Sequence, residues 1–325
     1  MEKIKWGVLG TAGIAKGCTI PGMQLAENAI LYAIAGRSMD KALAYQKEFG
    51  FEKAYDSYEA LLADPQVEAV YIPLPNQLHY EWTIKALQAK KHVLCEKPLA
   101  PTAQQITEMH QVARENGVFL MEAFAYLHSP LIRAIKEDVD SGIIGDILYL
   151  ESEFITSDYD LSNIRMRRET LGGSTYDLGC YCTTMALWML GQTPKSVKAV
   201  AEFSPENVDI LTTAILTFPG GQKATLTSGM LLSTDKDYRI DRLIIHGTKG
   251  CIKSDVQFNQ AGELSYRVWV EGEETVKTVQ TPQNYSLEAA QLGRCIRGLE
   301  TPHVTEEFSV ANAKVLEDIL REIGY

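Results

Sequence analysis

Short apolar runs alternate with amphipathic stretches over the first 124 residues, and this alternation restricts the possible folds more than any other feature of the chain. The apolar runs are IKWGVLG, ILYAIAG, VEAVYIP, HVLCEK and VFLMEAF. Helical periodicity is found between them, over Ala15–Glu27, Asp40–Phe49, Tyr58–Ala63, His79–Ala89 and Ala103–Asn116. Repeated βαβ units of this kind form a parallel sheet with helices on both faces. Residues 1–123 are therefore predicted to be a doubly wound Rossmann domain.

After Phe124 the pattern changes to one strand following another. The predicted strands are ILYLESEFI, KSVKAVAEF, DILTTAILTF, QKATLTSGML, DRLIIHGTKGCIKS and ELSYRVWV. Glycine-containing turns at Pro219-Gly220-Gly221 and Gly247-Thr248 fit hairpins. Residues 124–325 are therefore predicted to be an α+β domain with a large, mainly antiparallel sheet and helices on one face.

Composition excludes several classes of protein. The chain has 325 residues, which suggests two domains, and a net charge of −11 with no basic run, so no nucleic-acid partner is expected. No stretch approaches the ~18 apolar residues of a membrane span, and no signal peptide is visible, so a cytoplasmic protein without a membrane partner is expected. The six cysteines and six histidines show no metal-binding spacing. No metal site is predicted.

The turn Gly10-Thr11-Ala12-Gly13-Ile14 joins the first predicted strand to a helix. Gly10 suits a tight turn, and the start of the helix offers free N–H groups to a pyrophosphate. Ala12 stands where the G-x-G-x-x-G fingerprint has its second glycine, and its methyl group leaves less room for a phosphate to approach the backbone. By itself the turn fits an ordinary strand-to-helix connection almost as well as a dinucleotide site.

The end of the second strand reads Arg37-Ser38-Met39-Asp40-Lys41. Dinucleotide sites place the group that contacts the adenosine ribose here, ~20 residues past the glycines. Arg37, Ser38 and Lys41 can surround a 2′-phosphate, so NADP is favoured as the cofactor, with NAD as the alternative. The structural alternative is a solvated arginine and lysine beside a serine that caps a helix.

The third strand is followed by Pro73, Asn76 and His79, at the edge where open parallel sheets hold ligands. Pro73 stiffens this loop, and Asn76 is expected on the nicotinamide side of the cofactor. His79 begins the next helix, and we group it with the cofactor pocket rather than with the catalytic bases.

Lys97 ends the next strand, within CEKPLA. Charged side chains are costly at the end of a buried strand unless they are paired or functional, so Lys97 is expected to face the ligand crevice. A lysine that extends outward and pairs with Glu96 fits the sequence equally well.

Asp177 and Tyr181 lie in GGSTYDLGCY, just before the apolar run CTTMALWML. If one helix includes both, their side chains lie on the same face, one turn apart, and project together into the cleft. The structural alternative is an aspartate at the positive end of a helix and a core tyrosine with a satisfied hydroxyl.

Six segments occur in an order and at intervals that resemble the glucose-fructose oxidoreductase, inositol dehydrogenase and rhizopine-catabolism (Gfo/Idh/MocA) family of NAD(P)-dependent oxidoreductases. They are GVLGTAGIA, GRSMDKA, PLPNQLH, CEKPLA, MEAFAYLHSP and GGSTYDLGCY, and the resemblance spans nearly the whole chain. MEAF and Tyr181 resemble the branch of dimeric dihydrodiol dehydrogenases and NADP-dependent D-xylose dehydrogenases, whereas members similar to inositol dehydrogenase carry histidine in place of Tyr181. The family also accepts alanine at the position of Ala12, which favours a dinucleotide site.

The resemblance implies hydride transfer between NADP and a hydroxyl or carbonyl group of a sugar, polyol or trans-dihydrodiol. Tyr181 is expected to give and take the proton. Because a phenol has an ordinary pKa of ~10, a nearby ammonium is needed, and Lys97 can supply it and also bind the reacting oxygen. Asp177 is expected to orient substrate hydroxyls or Lys97. Glu96 and Pro98 are assigned to the cofactor pocket, as in the E-K-P turn of the family.

The resemblance also implies that the second face of the large sheet forms a homodimer or higher homo-oligomer. Other roles stay open. His128 is expected either to reach the substrate or to support a helix start. Arg165, Arg167 and Arg168 either bind an anionic or hydroxyl-rich ligand or belong to a solvated loop.

Two functional alternatives follow from the same residues. One is a non-catalytic regulator that binds NADP, against which the intact set of Lys97, Asp177 and Tyr181 argues. The other is an enzyme that never releases its cofactor, and glucose-fructose oxidoreductase is an enzyme of this type. Members of that type carry an extra N-terminal arm, whereas this chain starts at the first strand, so a dissociable cofactor is expected.

Overall fold

The computed structural model describes residues 2–157, 159–231, 239–255 and 258–325, and the chain forms two compact units. The first unit contains Met1–Ala100, Gln104–His128 and Gln283–Ser309, and the second contains Pro101–Ala103, Ser129–Pro282 and Val310–Tyr325. These units are discontinuous in sequence, whereas the predicted division between residues 123 and 124 cuts the chain once, and that division stays a prediction.

A six-stranded parallel sheet forms the centre of the first unit, in the order β3-β2-β1-β4-β5-β6. Its strands are β1 Ile4–Leu9, β2 Ala29–Ala35, β3 Lys53–Tyr55, β4 Ala69–Ile72, β5 His92–Glu96 and β6 Leu120–Ala123. The five predicted strands are present. The additional strand, β3, is a three-residue edge strand without a fully buried side chain, so it lacks an apolar run in the sequence.

The helices of this unit lie between the strands, as the periodicity predicts. They are α1 Ile20–Leu25, α2 Met39–Phe49, α3 Tyr58–Ala63, α4 His79–Gln88 and α5 Ala103–Asn116. A wide, π-type turn at Ala15–Thr19 precedes α1. A further helix, α8 (Asn284–Ile296), comes from the end of the chain and packs closely on α1. A Cβ on Gly22 would lie 2.7 Å from Tyr285 Cβ, so glycine allows this contact.

The second unit contains an eight-stranded sheet in the order β14-β13-β12-β11-β7-β10-β9-β8. All neighbouring strands are antiparallel except β10 and β7, which are parallel. The strands are β7 Ile147–Ile155, β8 Ser196–Phe203, β9 Asp209–Thr217, β10 Lys223–Gly229, β11 Ile240–Gly247, β12 Gly250–Ser254, β13 Gly262–Val270 and β14 Glu273–Thr281. Both predicted hairpins form, between β9 and β10 and between β11 and β12. The sequence did not predict β14, because most of its residues are polar and exposed.

Helices cover one face of this sheet. Helix α6 (Pro130–Asp140) packs on β13 and β14, and α7 (Cys180–Leu190) packs on β7 and β10. The strand registers place Val200, Ile215 and Val276 on the opposite face, with Val200 and Ile215 on adjacent strands and Val276 on the far edge strand, and they are 72%, 49% and 58% exposed. Helix α9 (Glu306–Ile323) completes the chain. The predicted fold class, a Rossmann sheet followed by an α+β domain with a mainly antiparallel sheet, is confirmed.

None of the helices among the described residues combines the length and the apolar character that crossing a membrane requires.

Candidate active site

Four strands of the first unit end next to predicted site residues. Gly10 follows β1, Arg37 lies two residues after β2, Asn76 lies in the loop after β4, and Lys97 follows β5. Parallel strands end at one edge of a sheet, and the strand order reverses between β1 and β4. Gly10 has a φ of +121°, and a Cβ there would lie 3.1 Å from Leu74 Cδ2. The β1 turn and the β4 loop are therefore adjacent at this reversal, where doubly wound folds bind nucleotides.

The turn after β1 is held from behind by Tyr45 on α2. Its hydroxyl donates to the carbonyl oxygens of Thr11 at 3.1 Å and Ala12 at 3.4 Å. Gly13 is exposed, and a Cβ there would have no neighbouring atom within 4 Å. Ile14 is half-buried at the beginning of the π-type turn. The accessible side of the turn thus has room for a phosphate group.

Arg37, Ser38 and Lys41 are exposed at the end of β2 and the start of α2. Among the residues that the structure describes, neither Arg37 nor Lys41 forms an ion pair. Ser38 occupies the N-cap position of α2, but its side chain makes no capping hydrogen bond. Two cationic groups and a hydroxyl therefore remain available to a 2′-phosphate.

The Lys97 turn is fixed by hydrogen bonds to its backbone. The Lys97–Pro98 peptide is cis, and Leu99 N–H donates to Glu122 Oε1 at 2.9 Å. His79 is fully buried, with Nδ1 at 2.8 Å from the Pro98 carbonyl oxygen and Nε2 at 2.7 Å from that of Leu74. Burial lowers the pKa of His79, against the opposite effect of the two carbonyl groups. His79 thus braces the β4 and β5 loops, and its side chain presents no surface to a cofactor.

Two buried carboxyl groups lie close to the lysine turn. Glu96 accepts a hydrogen bond of 2.5 Å from Tyr71, whose hydroxyl in turn accepts one from Thr19 at 2.9 Å. Burial raises the pKa of Glu122 to about 7, although the Leu99 N–H group and the charge of Lys97 act in the opposite direction. The MEAF segment was noted in the sequence as a family motif, but no role was predicted for its glutamate, Glu122. Its role depends on the pairing of β5 with β6, which the sequence does not specify.

In the second unit, Asp209 anchors the segment that carries Asp177 and Tyr181. Asp209 is fully buried, and its Oδ2 accepts hydrogen bonds of 2.7–2.8 Å from Ser174 Oγ, Thr175 N, Thr175 Oγ1 and Thr212 Oγ1. Gly173 has a φ of +106°, and a Cβ there would lie 2.1 Å from Asp209 Oδ1. Glycine at this position therefore allows the carboxylate to approach the backbone.

Asp177 and Tyr181 lie on one continuous helical segment, but its first turn differs from the prediction. Residues Thr175–Gly179 form a wide π-type turn, and α7 continues from Cys180. Such turns widen the spacing between successive side chains and are frequent at functional sites. Asp177 is half-buried, and its Oδ2 accepts a hydrogen bond of 2.7 Å from Arg165 Nε. Arg165 thereby supplies a positive charge beside Asp177.

Tyr181 is 7% exposed and sits among aromatic rings. Its ring contacts Phe154 edge-on at 5.5 Å and Phe258 at 5.1 Å, measured between ring centroids. Its hydroxyl oxygen accepts a hydrogen bond of 3.2 Å from Asn259 Nδ2. The contact of Asn259 with Tyr181 was not predicted, because Asn259 lies in a loop 78 residues further along the chain.

The groups left open by the sequence take different positions. His128 is buried before α6, and its ring stacks on His303 at 5.2 Å. Arg168 donates to the Asn207 carbonyl oxygen and covers the ring of Tyr325, whereas Arg167 is exposed. The polar stretch that contains these arginines includes Asp158, which lies outside the described residues. Within the described part of the chain, no group of histidine, cysteine and acidic residues has the arrangement of a metal site.

We predict that Glu122→Gln changes stability in a pH-dependent way. The folded-state pKa of Glu122 is about 7, above the ordinary 4.5, so the stabilisation from its bound proton is present below pH 4.5 and is lost as the pH rises through 7. Glutamine keeps the acceptor for Leu99 and does not titrate. The free energy of unfolding of the variant, relative to the parent, should therefore rise by up to about 3 kcal/mol between pH 4.5 and 7.

Urea unfolding at pH 5 and pH 8 measures this difference. The exposed Glu52→Gln is the control, and its effect should not depend on pH. An equal effect of Glu122→Gln at both pH values would contradict the prediction.

The chain is similar to known proteins over nearly its whole length. Residues 4–124 match the family described as "Oxidoreductase family, NAD-binding Rossmann fold", and residues 132–253 match the "GFO/IDH/MocA C-terminal domain". The chain is 35% identical to D-xylose 1-dehydrogenase (NADP(+)) 2 of Haloferax volcanii, over 97% of this chain and 95% of that protein. It is 31% identical to trans-1,2-dihydrobenzene-1,2-diol dehydrogenase of Xenopus laevis, over 98% of both chains.

A solved structure is similar along its whole length. It is KijD10, a 3-ketoreductase from Actinomadura kijaniata in complex with NADP and TDP-benzene, with a TM-score of 0.92, 29% identity, and coverage of 99% of this chain and 98% of that one. Other structures of that reductase carry a tyrosine-to-phenylalanine or a lysine-to-alanine replacement, at two positions separated by as many residues as Lys97 and Tyr181. The resemblance seen in the sequence is confirmed, and the chain belongs to the Gfo/Idh/MocA family of oxidoreductases.

Proposed function

We propose that this protein is an NADP-dependent oxidoreductase that transfers a hydride between the nicotinamide and a hydroxyl or carbonyl carbon of a sugar or a trans-dihydrodiol. Tyr181 is the proposed acid and base, and Lys97 is its charged partner. The observation that carries the proposal is the position of Lys97, a half-buried lysine at the carboxyl edge of the parallel sheet, on a turn that Glu122 and His79 hold in place.

The residues after β1 and β2 support NADP as the cofactor. Gly10, Thr11, Ala12, Gly13 and Ile14 form the turn for the pyrophosphate, with Tyr45 behind it. Arg37, Ser38 and Lys41 are exposed and suit the 2′-phosphate, because a guanidinium group binds phosphate oxygens in a bidentate manner. The D-xylose dehydrogenase and the 3-ketoreductase that resemble this chain are named with NADP(+) and NADP, which agrees with this assignment.

The loops after β4 and β5 are assigned to the nicotinamide end. Pro73 and Asn76 lie after β4, and Glu96 and Pro98 flank Lys97. Bound NADP supplies or accepts the hydride at its nicotinamide ring. His79 keeps its place in the cofactor pocket only as a support, because its buried ring positions Leu74 and Pro98.

The proton chemistry is assigned to Lys97 and Tyr181 together. In the reducing direction Tyr181 donates its hydroxyl proton to the carbonyl oxygen, and in the oxidising direction its phenolate takes the proton of the hydroxyl group. The ammonium of Lys97 stabilises negative charge on the same oxygen. Asp177, which Arg165 keeps paired, is assigned to orient substrate hydroxyl groups. The lysine and tyrosine varied in the similar reductase, at the same separation, support this pair of residues.

The uncovered face of the eight-stranded sheet is the proposed homodimer surface. Val200, Ile215 and Val276 lie on this face and are exposed, whereas α6 and α7 cover the other face. Val200 and Ile215 lie on neighbouring strands of this face, and exposed apolar side chains that lie side by side are typical of a surface that meets a partner. A second copy of this chain is the proposed partner.

We predict that Tyr181→Phe lowers kcat by about 10²–10⁴-fold, the usual loss when a proton-transfer group is removed, and that Lys97→Ala lowers it by about 10²–10³-fold, the usual loss when a group that stabilises developing negative charge is removed. The dissociation constant for NADP should change little. The measurement is the absorbance of reduced nicotinamide with D-xylose, D-glucose, trans-1,2-dihydrobenzene-1,2-diol and, as an expected poor substrate, inositol. Tyr80→Phe on α4 is the control.

Near-normal turnover in either variant would contradict the assignment of that residue. NADP binding by the parent protein without turnover on any compound of the panel would instead favour a regulator.

We predict that Arg37→Ala lowers kcat/KM for NADP by about ten- to a hundredfold, through the loss of charge-assisted hydrogen bonds to the 2′-phosphate. The value for NAD should stay within about threefold, because NAD lacks that phosphate. Lys47→Ala, at the other end of α2, removes the same charge and should leave the ratio unchanged. Equal losses for both cofactors in Arg37→Ala would show that Arg37 does not read the phosphate.

We predict that Ile215→Asp weakens self-association by at least about tenfold, because it places a charge in the proposed apolar interface. Sedimentation velocity over a range of protein concentrations measures the change. Leu299→Asp changes an exposed leucine in the first unit, 63% exposed against 49% for Ile215, and is the control. The same monomer–dimer distribution for both variants and the parent would exclude this face as the interface.

A further inference from the structure

Asn259 makes a polar contact with Tyr181. It lies in the loop between β12 and β13, and its Nδ2 is 3.2 Å from the phenolic oxygen. Its backbone is left-handed, with a φ of +48°. Asparagine and glycine adopt this conformation at lower cost than most residues, so the loop can turn at this point and aim the side chain at α7.

Neighbouring groups hold Phe258 in place beside Tyr181. Arg239 Nη2 donates to the Phe258 carbonyl oxygen at 2.9 Å and to Asp241 Oδ2 at 2.6 Å. The Phe258 ring is fully buried and packs against Phe154 at 4.9 Å as well as against Tyr181. Phe258, the residue that precedes Asn259, is therefore held next to Tyr181 through its backbone carbonyl oxygen and through aromatic packing.

The direction of the hydrogen bond has a chemical consequence. An amide N–H group can only donate, so it occupies a lone pair of the phenolic oxygen and leaves the hydroxyl hydrogen to point elsewhere. When the proton has left, the same N–H group donates to a phenolate, and a hydrogen bond to a charged oxygen is stronger than one to a neutral oxygen. The contact thus favours the deprotonated form of Tyr181 and directs the proton of the protonated form.

The other end of the amide is consistent with such a role. Asn259 Oδ1 is buried and has no hydrogen-bond partner among the residues that the structure describes. Among the described residues, the contact that positions this amide group is therefore the one between its N–H group and Tyr181.

We propose that Asn259 is a positioning residue for the acid and base Tyr181, holding the phenolic oxygen by an N–H···O hydrogen bond that strengthens as the proton leaves. This inference rests on the proposed function, in which Tyr181 transfers the proton. The charged groups described around Tyr181 are Asp177 with its partner Arg165, and Arg239 with Asp241 next to Phe154. The variants described next alter none of them.

Two substitutions separate the chemical role of the amide from its structural role. Asn259→Gly keeps the left-handed backbone favourable and removes the amide. Asn259→Asp keeps the size of the side chain but replaces the N–H donor by a carboxylate oxygen, which repels a phenolate. Asn207 also has a left-handed backbone, with a φ of +63°, so Asn207→Gly is a matched control for the loss of an asparagine in this conformation.

In the direction of alcohol oxidation, assayed with NADP and D-xylose on the acid limb of the kcat–pH profile, Asn259→Gly should lower kcat by about ten- to a hundredfold, because the loss of a hydrogen bond to a charged group leaves a smaller fraction of Tyr181 deprotonated. Asn259→Asp should lower it further. The KM for D-xylose should change less than kcat, and the acid limb of the kcat–pH profile should move to higher pH in both variants. Asn207→Gly should behave as the parent.

A readout that needs no turnover keeps this test distinct from the proposed function. In protein labelled with [¹³Cζ]tyrosine, the NMR signal that is missing from Tyr181→Phe identifies Tyr181, and its titration midpoint should move to higher pH in Asn259→Gly. An unchanged midpoint together with kcat within twofold of the parent would overturn the inference. A lower kcat with an unchanged midpoint and equal effects of glycine and aspartate would also overturn it, since the role would then be structural. Full turnover in Tyr181→Phe would instead refute the proposed function.

Discussion

The parallel pairing of β1, β2, β4 and β5 is the constraint on which the first unit depends. Parallel strands must end at the same edge, so residues far apart in the sequence, from Gly10 to Lys97, lie along one line of loops. The buried groups behind that edge maintain the loops rather than react. His79 joins two of them through their carbonyl oxygens, and Glu122 holds the backbone after Lys97. The turn that carries Lys97 is therefore supported by several buried groups.

In the second unit, a buried carboxylate rather than a line of strand ends holds the segment that carries predicted site residues. A fully buried carboxylate, Asp209, collects the hydroxyl and amide groups at the start of the segment that carries Asp177 and Tyr181. Because a buried charge is tolerated only when such donors surround it, the segment has little freedom to shift. The glycine at Gly173 is required by the same contact. The wide turn that follows packs on β7, β9 and β10 of the sheet.

The sequence predicted most of the fold and part of the candidate site, and the difference has a physical cause. Strands such as β1 and β9 carry apolar periodicity, so they are visible in the sequence, whereas β3 is too short and β14 too polar. The segment Gln283–Ser309 joins the first unit through helix packing, which local patterns do not encode. Lys97, Asp177 and Tyr181 stood out through motifs. Asn259, Glu122 and Asp209 act through contacts between distant parts of the chain, and these contacts exist only after folding.

The central proposal is that Lys97 and Tyr181 act on one oxygen atom of the substrate. A crystal structure of the protein with NADP and a compound that it turns over tests this claim most directly. We expect Lys97 Nζ and Tyr181 Oη each to lie within about 3.2 Å of the same substrate oxygen, next to the nicotinamide ring. A complex in which either atom lies beyond hydrogen-bonding distance of that oxygen would contradict it.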